Sequence, residues 1–290
     1  MIDKFFSRNM PRKWTDLSYA GETRVPSSLD SSAYSWPMFF LRGDGKGNFT
    51  DINGNPVALE ITHADNIDFE GKELDAVRKT LADLTQEQIC IAEYWNAGPP
   101  TKQWTPIIDR LIDTYDMSPA RSARILGAVH GGINDCAVIT WHFKYHFNVA
   151  RPNQLDQTLG TIVCTPYHPS YPSGHSLLAG CTEVLLGYFF SPEKEQLKRL
   201  AEECAISRLY GGVHYPADCS EGLRLGRQIG QIVVGILENQ YDRLGCRMDY
   251  PITESRHAAL MPPPYEQVIK YERPRVCHSK LDPRQCPEAR

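Results

Sequence analysis

No run of apolar residues in this sequence is long enough to cross a bilayer. The longest, "SLLAGCTEVLLGYFF", falls short of the roughly 20 residues a spanning helix needs, and it carries Glu183. The opening "MIDKFFSRNMPRKW" lacks the apolar core of a secretory leader, so a soluble, cytoplasmic protein is expected. None of the nine cysteines stands in a C-x-x-C pair, which argues against a zinc ribbon or a thioredoxin-type site. Most lie in apolar helical windows, where a thiol packs as a small core residue. Reduced thiols are the expectation, with Cys277 and Cys286 able to pair in an oxidising compartment. Excess positive charge is missing too: 31 Lys and Arg against 35 Asp and Glu leave a net −4. That excludes a diffuse nucleic-acid surface and a polybasic membrane anchor, but not a small, strongly positive pocket. No internal repeat is present.

The 290 residues, 41% apolar and 23% charged, suffice for a large core in one or two domains. Residues 1–70 are broken by "RGDGKGNFTDINGNP" and read as an irregular arm packed on the core, with one hairpin at "INGN". From Gly71 a helical period sets in, with Leu74, Val77, Leu81 and Leu84 on one face. Thr85 and Gln88 have capping-box spacing. Ser118 and Pro119 open a helix of about 30 residues, apolar on most sides and therefore central. Pro152 is expected to end it near Arg151. After a loop over 148–172, helices begin near Ser173, at Ser191-Pro192 and at Pro216. The expectation is an all-α helical domain over 71–250, with a Pro-rich tail over 251–290.

Three segments place polar residues beside these apolar helices: "KYHFNVARP", "YPSGHS" and "SRLYGGVHYPAD". "SGH" is not a hydrolase elbow, because no G-x-S-x-G surrounds it. His175, His214 and Asp218 could hold a divalent metal, yet Lys144, Arg151 and Arg208 beside a bare cation would be electrostatically wrong. Three cations and helix-start N–H groups suit a tetrahedral oxyanion instead. Ser173 and Gly174 N–H then serve as donors and His175 as general acid or base. Each residue alone has an ordinary explanation as a surface charge or a core histidine; their joint order carries the reading.

That order, K-x6-R-P, then P-S-G-H, then S-R-x5-H-x3-D, resembles the signature of the vanadium-dependent haloperoxidases and the type 2 phosphatidate phosphatase (acid phosphatase) superfamily. It falls on Lys144/Arg151/Pro152, Pro172–His175 and Ser207/Arg208/His214/Asp218. The resemblance covers roughly residues 85–240 and implies that superfamily's all-α bundle. It implies vanadate as cofactor, or phosphate in the same place, held by Lys144, Arg151, Ser173, Gly174 and Arg208. His214 would be the axial ligand to vanadium or the nucleophile towards phosphorus, Asp218 its orienting partner, and His175 the acid/base.

Within the superfamily, Trp141 lies one helical turn before Lys144, where many haloperoxidases carry a tryptophan. Core packing explains it equally well. His168 stands where haloperoxidases line the halide pocket, and histidine there resembles the bromide-using algal enzymes, although a loop histidine facing solvent reads the same in sequence. The resemblance implies hydrogen peroxide, halide (bromide or iodide favoured) and a small organic molecule as reaction partners. A soluble acid phosphatase working through a phosphohistidine is the alternative, and a silent oxyanion-binding scaffold a third. The chain is much shorter than the fungal and algal haloperoxidases. A homo-oligomer stays open.

Overall fold

The computed structural model describes residues 10–270 and 277–279. Eight α-helices are formed among them: α1 (Leu74–Ala82), α2 (Gln86–Asn96), α3 (Thr101–Thr114), α4 (Pro119–Phe147), α5 (Pro152–Leu155), α6 (Gly174–Phe189), α7 (Lys194–Tyr210) and α8 (Pro216–Glu238). The bundle is all-α, as expected. Leu74, Val77 and Leu81 of α1 are buried. Thr85 caps α2 in a reciprocal box with Gln88. Ser118 sits at the N-cap of α4 but makes no side-chain cap bond, and Pro119 alone pre-sets the first turn. Helix α4 ends earlier than Pro152 implies: Asn148 adopts the left-handed conformation and donates its N–H to Lys144 O, so Arg151 lies beyond the helix, at the N-cap of α5.

The bundle centres on α6, which packs against α4, α7 and α8. Its seam with α8 is lined by small residues. A Cβ at Gly226 would stand 1.9 Å from the Leu177 carbonyl, and one at Gly222 2.6 Å from the Ser173 carbonyl. Only glycine lets the two backbones approach so closely. This contact sets the N-terminus of α6 beside the N-terminus of α8, where Ser173 N–H donates to the Asp218 carbonyl at 3.0 Å.

The arm over 10–70 is irregular but firmly attached. It carries a three-stranded antiparallel sheet, β1 (Leu41–Gly43), β2 (Phe49–Asp51) and β3 (Pro56–Val57). The second hairpin is the one expected at "INGN"; the first, across "DGKGN", was not. Asp135, fully buried in α4, accepts the backbone N–H groups of Phe39, Phe40 and Leu41 at 2.7–3.0 Å and pins the arm to the core. Further back, Trp14 donates to Tyr19 Oη, and Tyr19 donates to the Pro166 carbonyl.

One expectation about cysteine is corrected. Cys277 is bridged to Cys164, not to Cys286, which lies outside the described residues, and Cys90 is disulfide-bonded as well. Cys136, Cys181, Cys204 and Cys219 are free and buried, as small core residues should be. Disulfides persist in oxidising surroundings, so the cysteines no longer support a reducing cytoplasm. No helix among the described residues is long and apolar enough to cross a membrane.

Candidate functional site

The last turn of α4, the 148–173 connection, the start of α6, the end of α7 and the 211–218 turn meet at one end of the bundle. They bring Lys144, Arg151, Ser173, Gly174, His175, Arg208, His214 and Asp218 together. Lys144, Arg151, Ser173, Arg208, His214 and Asp218 are all buried. The charges of Arg208, Lys144 and Arg151 act on both His175 and His214.

His214 is held at both ring nitrogens. Nδ1 lies 2.7 Å from Asp218 Oδ2, and Nε2 lies 3.0 Å from Arg151 Nη1. A guanidinium only donates, so Nε2 is a lone-pair acceptor and the ring proton sits on Nδ1, pointing at the carboxylate. Burial, then the cations Arg151, Lys144 and Arg208, hold the His214 pKa well below the ordinary histidine value and keep the ring neutral. Asp218 Oδ2 also accepts from Ser170 Oγ and from Tyr215 N. Burial pushes its pKa up to about 6, against the pull of Ser170 and of the Lys144 and Arg151 charges.

Arg151 is anchored on the 148–173 connection. Nε donates to the His168 carbonyl at 3.0 Å, Nη1 to the Val213 carbonyl at 2.6 Å, and Nη2 to His168 Nδ1 at 3.0 Å. His168 Nδ1 also lies 3.3 Å from the Pro169 carbonyl; the guanidinium contact is the shorter, and with Arg151 as donor the ring proton sits on Nε2. Its own pKa is depressed by burial, then by Lys144 and Arg151. Lys144 directs all three N–H donors at backbone carbonyls, Pro169, Ser170 and Pro172, at 2.6–2.9 Å. Its charge reaches the cavity, but to bond a ligand it must release one of these carbonyls. Arg208 donates to Ser207 Oγ, Asn96 Oδ1 and the Ala92 carbonyl, which leaves two of its five N–H groups uncommitted. Burial lowers its pKa to about 10.

At the start of α6, Ser173 Oγ accepts from Ser176 N and Ser176 Oγ, so its own hydroxyl proton is free to donate. The N–H groups of Gly174 and His175 stand in the first helical turn, where the helix offers them no acceptor. A Cβ on Gly174 would meet nothing nearer than Thr140 Cγ2 at 3.5 Å, so protein packing does not itself demand glycine here. His175 hydrogen-bonds the Trp95 backbone, while its Nε2 is buried without a hydrogen-bond partner among the described residues. The bond to Trp95 therefore uses Nδ1–H, and Nε2 presents a bare lone pair. Trp141 packs on His168, ring centroids 5.0 Å apart, and its Nε1–H is also buried without a partner. Asp218 Oδ1 is a third buried polar atom of this cluster without a hydrogen-bond partner among the described residues, so the cluster has polar capacity left for a ligand.

The donor set fits a tetrahedral oxyanion: Ser173 O–H, helix-start N–H groups and the spare N–H groups of Arg151 and Arg208. It does not fit a bare cation, and no cluster of three His, Cys, Asp or Glu side chains forms a metal-holding group among the described residues. Sequence reasoning missed the residues behind these groups. Ser170 holds Asp218, Asn96 holds Arg208, and Gln154 accepts Arg151 N–H while donating to the Trp14 and Leu17 carbonyls. Only Asn96, an amide at the end of a predicted helix, gave any local signal.

Comparison with known proteins finds similarity over the stretch that carries most of these residues. Residues 125–242 match the family model of the PAP2 superfamily. The vanadium-dependent bromoperoxidase of Corallina pilulifera is 35% identical over a stretch covering 26% of this chain and 17% of that protein. Among solved structures, a bacterial vanadium-dependent iodoperoxidase is similar with TM-score 0.52 at 25% identity, covering 61% of this chain and 51% of that one. A bacterial vanadium-dependent chloroperoxidase in its apo form is similar with TM-score 0.59 at 14% identity, covering 81% of this chain and 63% of that one. Residues 125–242 are thus similar to the PAP2 superfamily, and the helical fold is that of the vanadium-dependent haloperoxidase structures. The chain matches only about a sixth of the bromoperoxidase's length.

Proposed function

We propose that the protein is a vanadate-dependent haloperoxidase that oxidises halide with hydrogen peroxide to hypohalous acid or halogenated organic products. The observation that carries this reading is the neutral, buried His214, held at Nδ1 by Asp218 and at Nε2 by Arg151 and surrounded by the charges of Arg151, Lys144 and Arg208. When bound, vanadate supplies Lewis-acid activation of peroxide without a change of metal oxidation state. Arg151, Arg208, Ser173 and Gly174 would hold its oxygens, with Lys144 contributing charge, and His214 Nε2 would be its protein ligand. Preorganised donors of this kind are each worth roughly 3–4 kcal/mol of barrier.

His175 is the proton carrier in this scheme. Its Nε2 lone pair is kept basic-form by burial and neighbouring cations, and the Nδ1–H bond to Trp95 fixes the ring's direction. That Nε2 would take up a proton from hydrogen peroxide and hold it within the site. Asp218 keeps the His214 proton on Nδ1 and so leaves Nε2 a lone-pair acceptor, which the Arg151 N–H would have to release to a ligand. Trp141 Nε1–H and His168 Nε2–H supply two donors suited to halide, with bromide or iodide favoured by the histidine. That neighbouring pair is what favours a peroxidase over a phosphatase using the same cage.

The test is direct: load the purified protein with orthovanadate, add peroxide with bromide, iodide or chloride, and follow halogenation of a diketone dye. In parallel, assay the vanadate-free protein on a chromogenic phosphomonoester. Bromination or iodination that depends on vanadate and disappears in His214→Ala supports the reading. Phosphate release without halogenation in any halide assigns the site to the phosphatase.

A further inference from the structure

The anion cage rests on two supports, and the second lies outside the 125–242 stretch that matches the superfamily. The first is the 156–172 connection, whose His168, Pro169, Ser170 and Pro172 carbonyls hold Arg151 and Lys144. It has no helix or strand of its own, so other segments must brace it. The second is the last turn of α2, whose Ala92 carbonyl and Asn96 side chain hold Arg208 and whose Trp95 backbone holds His175.

The C-terminal segment braces both. At the connection, Cys277 is bridged to Cys164. Ser279, fully buried, accepts at its carbonyl from Thr161 N and Thr161 Oγ1 at 3.1 and 2.8 Å, and at Oγ from Thr165 Oγ1 at 3.2 Å. At α2, Gln267 donates to the Tyr94 carbonyl at 2.7 Å. Tyr265 donates to Glu203 Oε2 at 3.0 Å, and Trp95 Nε1 donates to the other oxygen of that carboxylate at 2.9 Å.

We infer that the C-terminal segment is a two-point clamp on the oxyanion cage, with Tyr265 and Cys277 as positioning residues, and that the Cys164–Cys277 bridge must be formed for tight oxyanion binding. The inference rests on the reading above that the cage holds an oxyanion. Breaking the bridge frees the connection to sway, and with it the carbonyls that aim Arg151 and Lys144. The Tyr265–Glu203–Trp95 contacts do the same for the backbone that aims His175.

The test uses the full chain, with orthovanadate and inorganic phosphate as probes. Affinity is measured by calorimetry, and backbone hydrogen exchange is followed across 156–172 and across α6 and α8. The variants are Cys277→Ser, Ser279→Ala and Tyr265→Phe; wild type is also treated with a phosphine, which becomes phosphine oxide as water supplies oxygen and protons and each disulfide becomes two thiols. Phosphine treatment and Cys277→Ser are each expected to weaken orthovanadate binding about tenfold, the usual effect of losing an outer support. Exchange should rise across 156–172 while α6 and α8 stay protected, which separates repositioning from general unfolding. Ser279→Ala should move both readouts the same way, and Tyr265→Phe should shift the pH profile of turnover through His175 while keeping the ring's packing. Unchanged affinity in Cys277→Ser and in reduced wild type, when oxidised wild type binds, overturns the clamp and leaves the oxyanion reading standing. Failure of oxidised wild type to bind either probe overturns the oxyanion reading itself.

Discussion

Arg151 donates to Nε2 of His214 at 3.0 Å and so fixes which nitrogen of that ring carries the proton. Asp218 completes the assignment from the other side at 2.7 Å. Asp218→Asn removes the ionised partner and lets the ring take the other tautomer, in which an Nε2–H opposes the Arg151 N–H. Turnover and orthovanadate affinity are each predicted to fall about 10- to 100-fold, as for other second-layer partners of an imidazole ligand. Steady-state kinetics with calorimetry would check this, and wild-type turnover would contradict it.

Trp141→Phe separates packing from binding. The Nε1–H has no hydrogen-bond partner among the described residues, so its removal relieves a buried-donor penalty of about 1–3 kcal/mol, which offsets the volume lost. Thermal stability is predicted to hold within a few degrees. Halide turnover is predicted to fall between about tenfold and a hundredfold, the worth of one hydrogen bond to a charged group. A variant with a lowered melting temperature and wild-type activity would make Trp141 a packing residue only.

Gly226→Ala tests how the bundle positions the site. The added carbon would sit 1.9 Å from the Leu177 carbonyl and must push α6 away from α8. Overpacking of this kind typically costs about 1–3 kcal/mol, and denaturant unfolding should show at least that loss. Because the same seam holds Ser173 against Asp218, orthovanadate affinity should drop with it. Stability lost with affinity intact would mean the seam does not set the site.

Burial and neighbouring cations depress the pKa values of His168, His175 and His214. Above the unfolded value of about 6.5 both states are neutral there, and these rings leave stability unaffected by pH. As pH falls below it, the unfolded chain takes up protons that the folded one refuses, and stability is lost by up to about 1.4 kcal/mol per pH unit for each such ring. Asp218, raised to about 6, acts with the opposite sign between the ordinary carboxylate range and that value. Between pH 7.5 and 6 the three rings outweigh the one carboxyl, so melting temperature should fall on acidification, chiefly once pH drops through about 6.5. A flat profile there would mean the rings are not held neutral.

Much of this was legible beforehand, for identifiable reasons. Helix-forming periods, the Thr85–Gln88 box and the Ser-Pro starts are local signals, and the helices fall where those signals stand. The three polar segments were legible because their spacing is long and ordered. Asn148 was misjudged because Pro152 is the louder breaker, although Asn is the natural left-handed cap. The Cys164–Cys277 bridge joins positions 113 residues apart, and nothing local encodes such a pairing. The same holds for Asp135, which looks like any helix acid until the arm's N–H groups are seen to converge on it. Lys144 lies buried beside Arg151, and only coordinates reveal that three carbonyls already take its donors.

The most direct single measurement is a crystal structure of the protein soaked with orthovanadate. The account predicts one anion at the α6 N-terminus, its oxygens contacted by Arg151, Arg208, Ser173 and Gly174, with His214 Nε2 at bonding distance from vanadium. Vanadate bound elsewhere, or bound in the cavity with His214 turned away from it, would contradict the account.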